Sequence, residues 1–371
     1  MNFDIYREEF PILKKFNFLD HASVSPIPKS VFKAIQDFYL ERLNSAGLAW
    51  NNWLKKLDET RALAAKLIKA NPEEIAIIKN TSEGVNLIVN SIEWKKGDRV
   101  IITDMEFPTN FYPWIRLRKK GVKVSIIKHK INGTIDLADI EKAIDEKTVA
   151  LAISHVQYGN GFKIDLKELN RIISKNCLLF VDAIQSLGAI KVDSRLVSSL
   201  AAGSHKWLLA PFGTGILYVS KKLDLTPAFV GWFSVKNPYL FSLKLEYASN
   251  ARKFEYGSHN FSGIFGLKAA LELILKVGIS NIEKRILQLS NLTIEEVEKL
   301  GLKIQTPKDI KKRAGIVNII VKNPNKVVKK LLKSRIIVSL RAGGIRVSPH
   351  FYNNEEDIYK FVQALKKSIK A

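Results

Sequence analysis

From Ile75 to Ser220 short apolar runs rich in isoleucine and valine alternate with longer amphipathic stretches. That alternation is the pattern of a parallel α/β sheet, with strands buried on both faces and crossover helices between them. The expected strands are IAIIK (75–79), RVIIT (99–103), VKVSII (122–127), TVALAIS (148–154), LLFVDA (178–183) and GILYVS (215–220). Helices are expected from about Ser82, from about Thr109 to Lys120, over 136–145 and over 165–176. Residues 224–258 then change character, with aromatics and turn formers as in TPAFVGWFSVKNPYLF. A long helical stretch (262–301) follows, then strands GIVNIIV (315–321) and RIIVSL (335–340) around a lysine-rich helix. The expected organisation is a large, mostly parallel sheet domain over 16–250 with helices on both faces. A smaller α+β domain combines the arm 1–15 with 251–371.

A chain of 371 residues suits this two-domain division, being too long for one small core. No stretch approaches the roughly 20 uninterrupted apolar residues of a membrane span. The opening MNFDIYREEF has acids where a secretory signal has a basic region, which points to the cytoplasm. The single cysteine, Cys177, excludes an internal disulfide framework and a clustered cysteine metal site, so no metal is expected. The net charge of +23 raises the question of a nucleic-acid partner. The lysines, however, are dispersed along helical patterns such as EKAIDEKTVA and NKVVKKLLKSR, without the interleaved aromatics of a single-strand binder. Solvated helix faces are the expectation, and nucleic acid is not the expected partner.

In a doubly wound sheet, ligands sit beyond the carboxyl ends of the strands, and the residues leaving those ends form a coherent set. LLFVDA delivers Asp182, with Gln185 one turn on. GSHKW then presents Lys206 beside Ser204 and His205, followed by an apolar run. Desolvation of such a lysine lowers its pKa and makes the amine nucleophilic towards an aldehyde. A carboxylate such as Asp182 holds the proton on a pyridine nitrogen and so makes that ring an electron sink. Gln185 can donate to the phenolate oxygen of such a cofactor. The segment NTSEGVN opens a helix with Thr81 and Ser82, which suits a phosphate. Taken singly, each residue has an ordinary reading. Asp182 or Thr81–Ser82 can cap a helix, His205 can be a satisfied polar residue, and Lys206 can be a surface lysine. Their joint occurrence in this order points to pyridoxal 5'-phosphate (PLP) held on Lys206.

The segments NTSEGVN, MEFPTNFYPW, SHVQYGNG, LFVDAIQSLGAIKVD, GSHKWLLAPFGTGILYV, EYGSHNFSGIFGLKAAL and IRVSPHFYNNEED resemble the successive motifs of the class V aminotransferase family. FLDHASVSPIP resembles its N-terminal signature. The resemblance implies fold type I, PLP on Lys206, an amino-acid substrate and a homodimer with shared active sites. It implies that Ser258 contributes a phosphate contact to the partner's site and that Arg346 holds the substrate carboxylate. A guanidinium fork binds a carboxylate bidentately, which suits that role; the alternative is an arginine on a surface strand. It also implies that His155 lies near the phenolate oxygen, where a structural histidine is the competing reading.

Two departures bear on the reaction. Desulfurases of this family usually place a histidine over the cofactor ring, whereas MEFPTN has Phe107 there. A phenyl ring stacks on pyridine but shuttles no proton, so proton transfer at the substrate Cα falls to Lys206; the alternative is a core aromatic. Desulfurases that form a protein persulfide also need a cysteine before the substrate arginine, and KSRIIVSLRAGGIR has none. Cys177 begins an apolar run and reads as core. The expected chemistry is C–S lyase-type β-elimination without a protein persulfide. Transamination and epimerisation are the alternatives, and a PLP-fold regulatory protein is the non-enzymatic one.

Overall fold

The computed structural model describes residues 1–173 and 177–370. A two-residue strand near the start, β1 (Asn17–Phe18), precedes two long helices, α1 (Lys29–Ser45) and α2 (Trp50–Ile68). The alternating region then runs β2 (Ile75–Ile78), α3 (Thr81–Ser91), β3 (Arg99–Thr103), α4 (Tyr112–Arg116), β4 (Lys123–Ile127), α5 (Leu137–Ala143) and β5 (Thr148–Ser154). It continues with α6 (Leu166–Ile172), β6 (Leu178–Asp182), β7 (Ser199–Gly203) and β8 (Gly215–Val219). Strands β2 to β8 form one seven-stranded sheet in the order β2-β8-β7-β6-β5-β3-β4. Strand β8 runs antiparallel to both its neighbours, and the other pairings are parallel. Every residue of β2, β6, β7 and β8 is buried, as helices on both faces require. In register, Asp182 lies between Ser154 of β5 and Ala201 of β7, which gathers three carboxyl ends at one point.

The remainder comprises α7 (Phe261–Val277), α8 (Ile279–Glu298), β9 (Lys303–Ile304), β10 (Val317–Ile320), α9 (Pro324–Lys333), β11 (Ile336–Ile337), β12 (Ser339–Arg341), β13 (Gly344–Val347) and α10 (Glu355–Lys370). Strands β12-β13-β10-β9 make an antiparallel sheet with its own core, including Val317, Ile319, Ile345, Val347 and Phe361. β11 pairs in parallel with β1 and ties the start of the chain to this smaller body.

Four details differ from the sequence-based expectation. The stretch 262–301 is two helices, broken at Gly278 with φ +85°. The segment 109–120 is broken too, with Pro113 in a short α4 flanked by 3₁₀ turns. RIIVSL splits because its halves pair with different strands, β1 and β13. Strand β7, SLAAG, was unanticipated, since small residues buried on both faces carry neither alternation nor β-branching. Helix α7 packs on α1 and α2 and shares their core. The tail of the expected helix 165–176, residues 174–176, lies outside the described residues. No described helix is long and apolar enough to cross a membrane.

Candidate active site

Helix α3 begins immediately beyond β2. Asn80 caps it by accepting from the Glu83 N–H at 2.9 Å, leaving Thr81 and Ser82 in the first turn. Gly84 lets the helix sit directly on the sheet, for a Cβ there would lie 2.6 Å from Ala201 Cβ and 2.8 Å from Ile78 Cδ1. The sequence thus brings a helix N-terminus down to the carboxyl ends of the strands. Thr81 Oγ1 accepts from the Gly203 N–H at 2.8 Å, and Ser82 Oγ lies 2.9 Å from Thr109 Oγ1.

Lys206 stands on the loop that returns β7 into antiparallel β8. Ser204 clasps the base of that loop, its Oγ within 2.8 Å of the Pro211 carbonyl and 2.6 Å of Thr214 Oγ1. Trp207, buried behind, donates its indole N–H to Gln185 Oε1 at 2.8 Å, and its carbonyl lies 3.0 Å from His350 Nε2. Gln185 in turn donates to the Ala22 carbonyl at 3.0 Å. The lysine therefore has a backbone fixed on all sides.

A cavity of about 280 Å³ joins these parts. Lys206, Asp182, Thr81, Ser82, Phe107 and His205 line it from the large body, and Arg341 and Arg346 from the smaller one. Asp182 Oδ1 accepts from the Ile184 N–H at 3.0 Å. Burial pushes the Asp182 carboxyl up, opposed by that hydrogen bond and by Lys206. Burial pulls the Lys206 amine down; Arg346 adds to this and Asp182 opposes it. Among the described residues the two make no ion pair, so a gap separates them. The Phe107 ring centroid is 5.8 Å from Lys206 Nζ, and its ring stands edge-on to Tyr158 at 5.1 Å. With 41% of its surface exposed, Phe107 is a wall of the cavity and not a core aromatic.

Arg346 is 1% exposed and is held from three sides. It donates to the Tyr158 carbonyl at 2.9 Å and to Ser23 Oγ at 2.6 Å, and lies 3.5 Å from Asp20 Oδ1. Its Nε is buried without a partner. Burial lowers its pKa to about 10, and Asp20 opposes that fall. The surface-arginine reading fails.

Four sequence candidates stand elsewhere. Gln185 and Ser204 do not line the cavity; their polar atoms serve the lysine loop. His155 is buried beside the end of β5, where its backbone N–H donates to the Asp182 carbonyl at 3.0 Å and its Nδ1 has no partner. Burial and then Lys163 lower its pKa to about 3, so its ring is neutral. Ser258 is exposed and lines a separate cavity with Lys79, Tyr256 and Asn260. His205 does line the site, its ring stacked on Phe212 at 4.5 Å, with a pKa lowered to about 4 by burial and by Lys206. Sequence reasoning missed Ser23, Thr109, Tyr158 and Arg341. Tyr158 and Arg341 sit inside motifs already conspicuous, SHVQYGNG and LRAGGIR, but only the fold turns them inward.

A half-buried lysine facing a buried carboxylate across a gap, beside a helix N-terminus on a doubly wound sheet, defines a cofactor-type site. The sequence profile described as Aminotransferase class-V matches residues 17–361, and the chain belongs to that family. It is 32% identical to a probable cysteine desulfurase of Pyrococcus abyssi over 98% of this chain and 97% of that one. It is equally 32% identical to an uncharacterised aminotransferase, YcbU, of Bacillus subtilis, over 95% and 94%. The apo structure of a cysteine desulfurase from Thermococcus onnurineus superposes with a TM-score of 0.91 at 28% identity, covering 99% and 98%. The chain is a PLP-dependent enzyme.

Proposed function

We propose that this enzyme cleaves a C–S bond in a sulfur-bearing amino acid by β-elimination, with its cofactor on Lys206 and without a protein persulfide. The residues around the cavity fit PLP: an amine of lowered pKa, a buried carboxylate that makes no ion pair among the described residues, and a helix start carrying hydroxyls. Asp182 would hold the charge on the ring nitrogen, which would in turn relieve the burial that raises its own pKa. Thr81, Ser82 and His205 would hold the phosphate, with Ser258 of a second copy. Gln185 and His155 stand behind this shell, so their contribution is to orient the lysine loop and the Asp182 backbone. When bound, the cofactor supplies an electron sink for the bond broken at Cα. Arg346 orients the substrate carboxylate, Phe107 walls the ring, and Lys206 removes the Cα proton.

The observation that carries the absence of a persulfide is the β12–β13 hairpin. Where a persulfide-forming enzyme needs a mobile cysteine, the chain makes a two-residue turn at Ala342–Gly343, both at positive φ (46° and 76°), between paired strands. Cys177 precedes β6, five residues from Asp182 at the strand's other end, roughly 16 Å away at strand spacing. Burial pushes its thiol up to about 12.

Borohydride treatment of the yellow holoenzyme, followed by peptide mapping, is expected to fix the cofactor on Lys206 alone. With cysteine, one water is consumed and sulfide, pyruvate and ammonia appear in equal amounts, unchanged in Cys177→Ser. A persulfide on Cys177, lost together with activity in that variant, would overturn this reading in favour of a protein-persulfide desulfurase. A new amino acid formed with a keto acid would replace elimination by transamination, and loss of optical purity would replace it by epimerisation.

A further inference from the structure

Arg341 faces the cavity from the same hairpin as Arg346. In the β12–β13 register Ser339 pairs with Arg346 and Arg341 with Gly344, so these four residues share one face. The opposite face, with Ile345, packs into the core of the smaller body. Arg341 and Arg346 are therefore diagonal neighbours, about 7–8 Å apart along the pair.

The two guanidiniums are held very differently. Arg346 is buried and braced by Tyr158, Ser23 and Asp20. Arg341 is exposed to the cavity, its Nη1 donates only to the adjacent Leu340 carbonyl at 2.7 Å, and among the described residues it makes no ion pair. Its backbone is nevertheless rigid. Asn318 Nδ2 donates to the Arg341 carbonyl at 2.9 Å and to the Gly159 carbonyl at 2.7 Å, and Gln305 donates to the Ala342 carbonyl at 3.1 Å. The tight turn thus presents an uncommitted cation at a constant place. Its charge reaches the reacting groups, since it helps to lower the pKa of both Lys206 and Arg346.

One guanidinium fork satisfies one carboxylate. The phosphate contacts proposed above lie on the large body, across the cavity from this hairpin. Arg341 is left facing the part of the substrate beyond its α-carboxylate.

We propose that Arg341 binds a second acidic group, so that the preferred substrate is a sulfur-bearing amino acid whose side chain also carries an oxyacid, and acidic amino acids without a cleavable C–S bond bind as its analogues. This rests on the reading of Lys206 and Arg346 given above. The test is a spectral titration of the holoenzyme with aspartate, glutamate, cysteine sulfinate and, as the uncharged reference, alanine. Wild type is expected to bind at least one acidic amino acid about ten-fold or more tighter than alanine, the lower range for a charge-assisted hydrogen bond. The aspartate, glutamate and sulfinate arms separate the acid types. Arg341→Gln should erase this preference while affecting alanine far less, and Arg341→Lys should restore part of it. Absence of the preference in wild type, or equal weakening of alanine and acidic amino acids in Arg341→Gln, would overturn the proposal with Lys206 still labelled by borohydride. Failure of that labelling would instead sink the parent reading, and this inference with it.

Discussion

Lys206 carries opposing influences on one amine. Burial lowers its pKa most, Arg346 lowers it further and Asp182 raises it. An ordinary lysine titrates near 10.4, so the lowered group releases its proton at a pH closer to neutral, where under the proposed function it would capture the cofactor aldehyde. The sign for a variant follows. Removing the positive charge at Arg346 makes the ammonium form easier to keep, raises the Lys206 pKa and moves capture to higher pH. In Arg346→Gln the midpoint of PLP binding rate against pH is expected to rise by on the order of one unit. Stopped-flow measurement on the apoenzyme checks this, and an unmoved midpoint would separate the two residues. Lys206 and Asp182 were legible in the sequence because each ends a strand-and-loop signal of unusual composition. Arg341 was not, because an arginine beside a glycine turn reads as surface until the register of its strand is known.

Among the elements, the lysine loop depends on a glycine six residues after the end of β6. Gly188 has φ +93°, and a Cβ there would lie 2.4 Å from the Trp207 carbonyl. Trp207 is bound to Gln185 and His350, so displacing its peptide strains the loop that carries Lys206. Gly188→Ala is expected to cost at least about 1–3 kcal/mol and to lower PLP content, read by thermal denaturation and cofactor absorbance. Normal cofactor content in a stable variant would show that the loop absorbs the clash. Element types were readable wherever apolar runs were β-branched, as in β3 and β5. They were not readable in β7, whose SLAAG owes its extended form to pairing with β6 and β8.

Across the whole molecule, the surface is uneven. Leu43, Leu48, Phe241 and Leu243 are 80%, 93%, 76% and 104% exposed. Ser258 is exposed as well, outside the cavity of its own chain. An exposed Ser258 fits the proposed homodimer with sites shared between copies. Lys206→Ala and Ser258→Asp each remove one half of such a site. The aspartate does so by setting a negative charge against the phosphate. Neither variant alone should turn over substrate, whereas co-refolded mixtures should regain up to about a quarter of wild-type activity, because a hybrid dimer rebuilds one intact site from two wild-type halves. Sedimentation as a monomer, or mixtures as inactive as their parents, would remove the shared site.

Local chemistry was enough to place the β-branched strands, the helix start at Thr81–Ser82, the lysine and its carboxylate, because each depends on residues near in sequence, whereas the arginine at 346 came from the family resemblance. It was also enough to exclude a cysteine from the hairpin. Where those groups point depended on packing. Gly84 seats α3 against the sheet, Gln185 and Ser204 turn out to build the lysine loop and not the cavity wall, and the β12–β13 register sets Arg341 beside Arg346. Pairing register and close approach are relations between segments distant in the chain, and only the folded backbone specifies them.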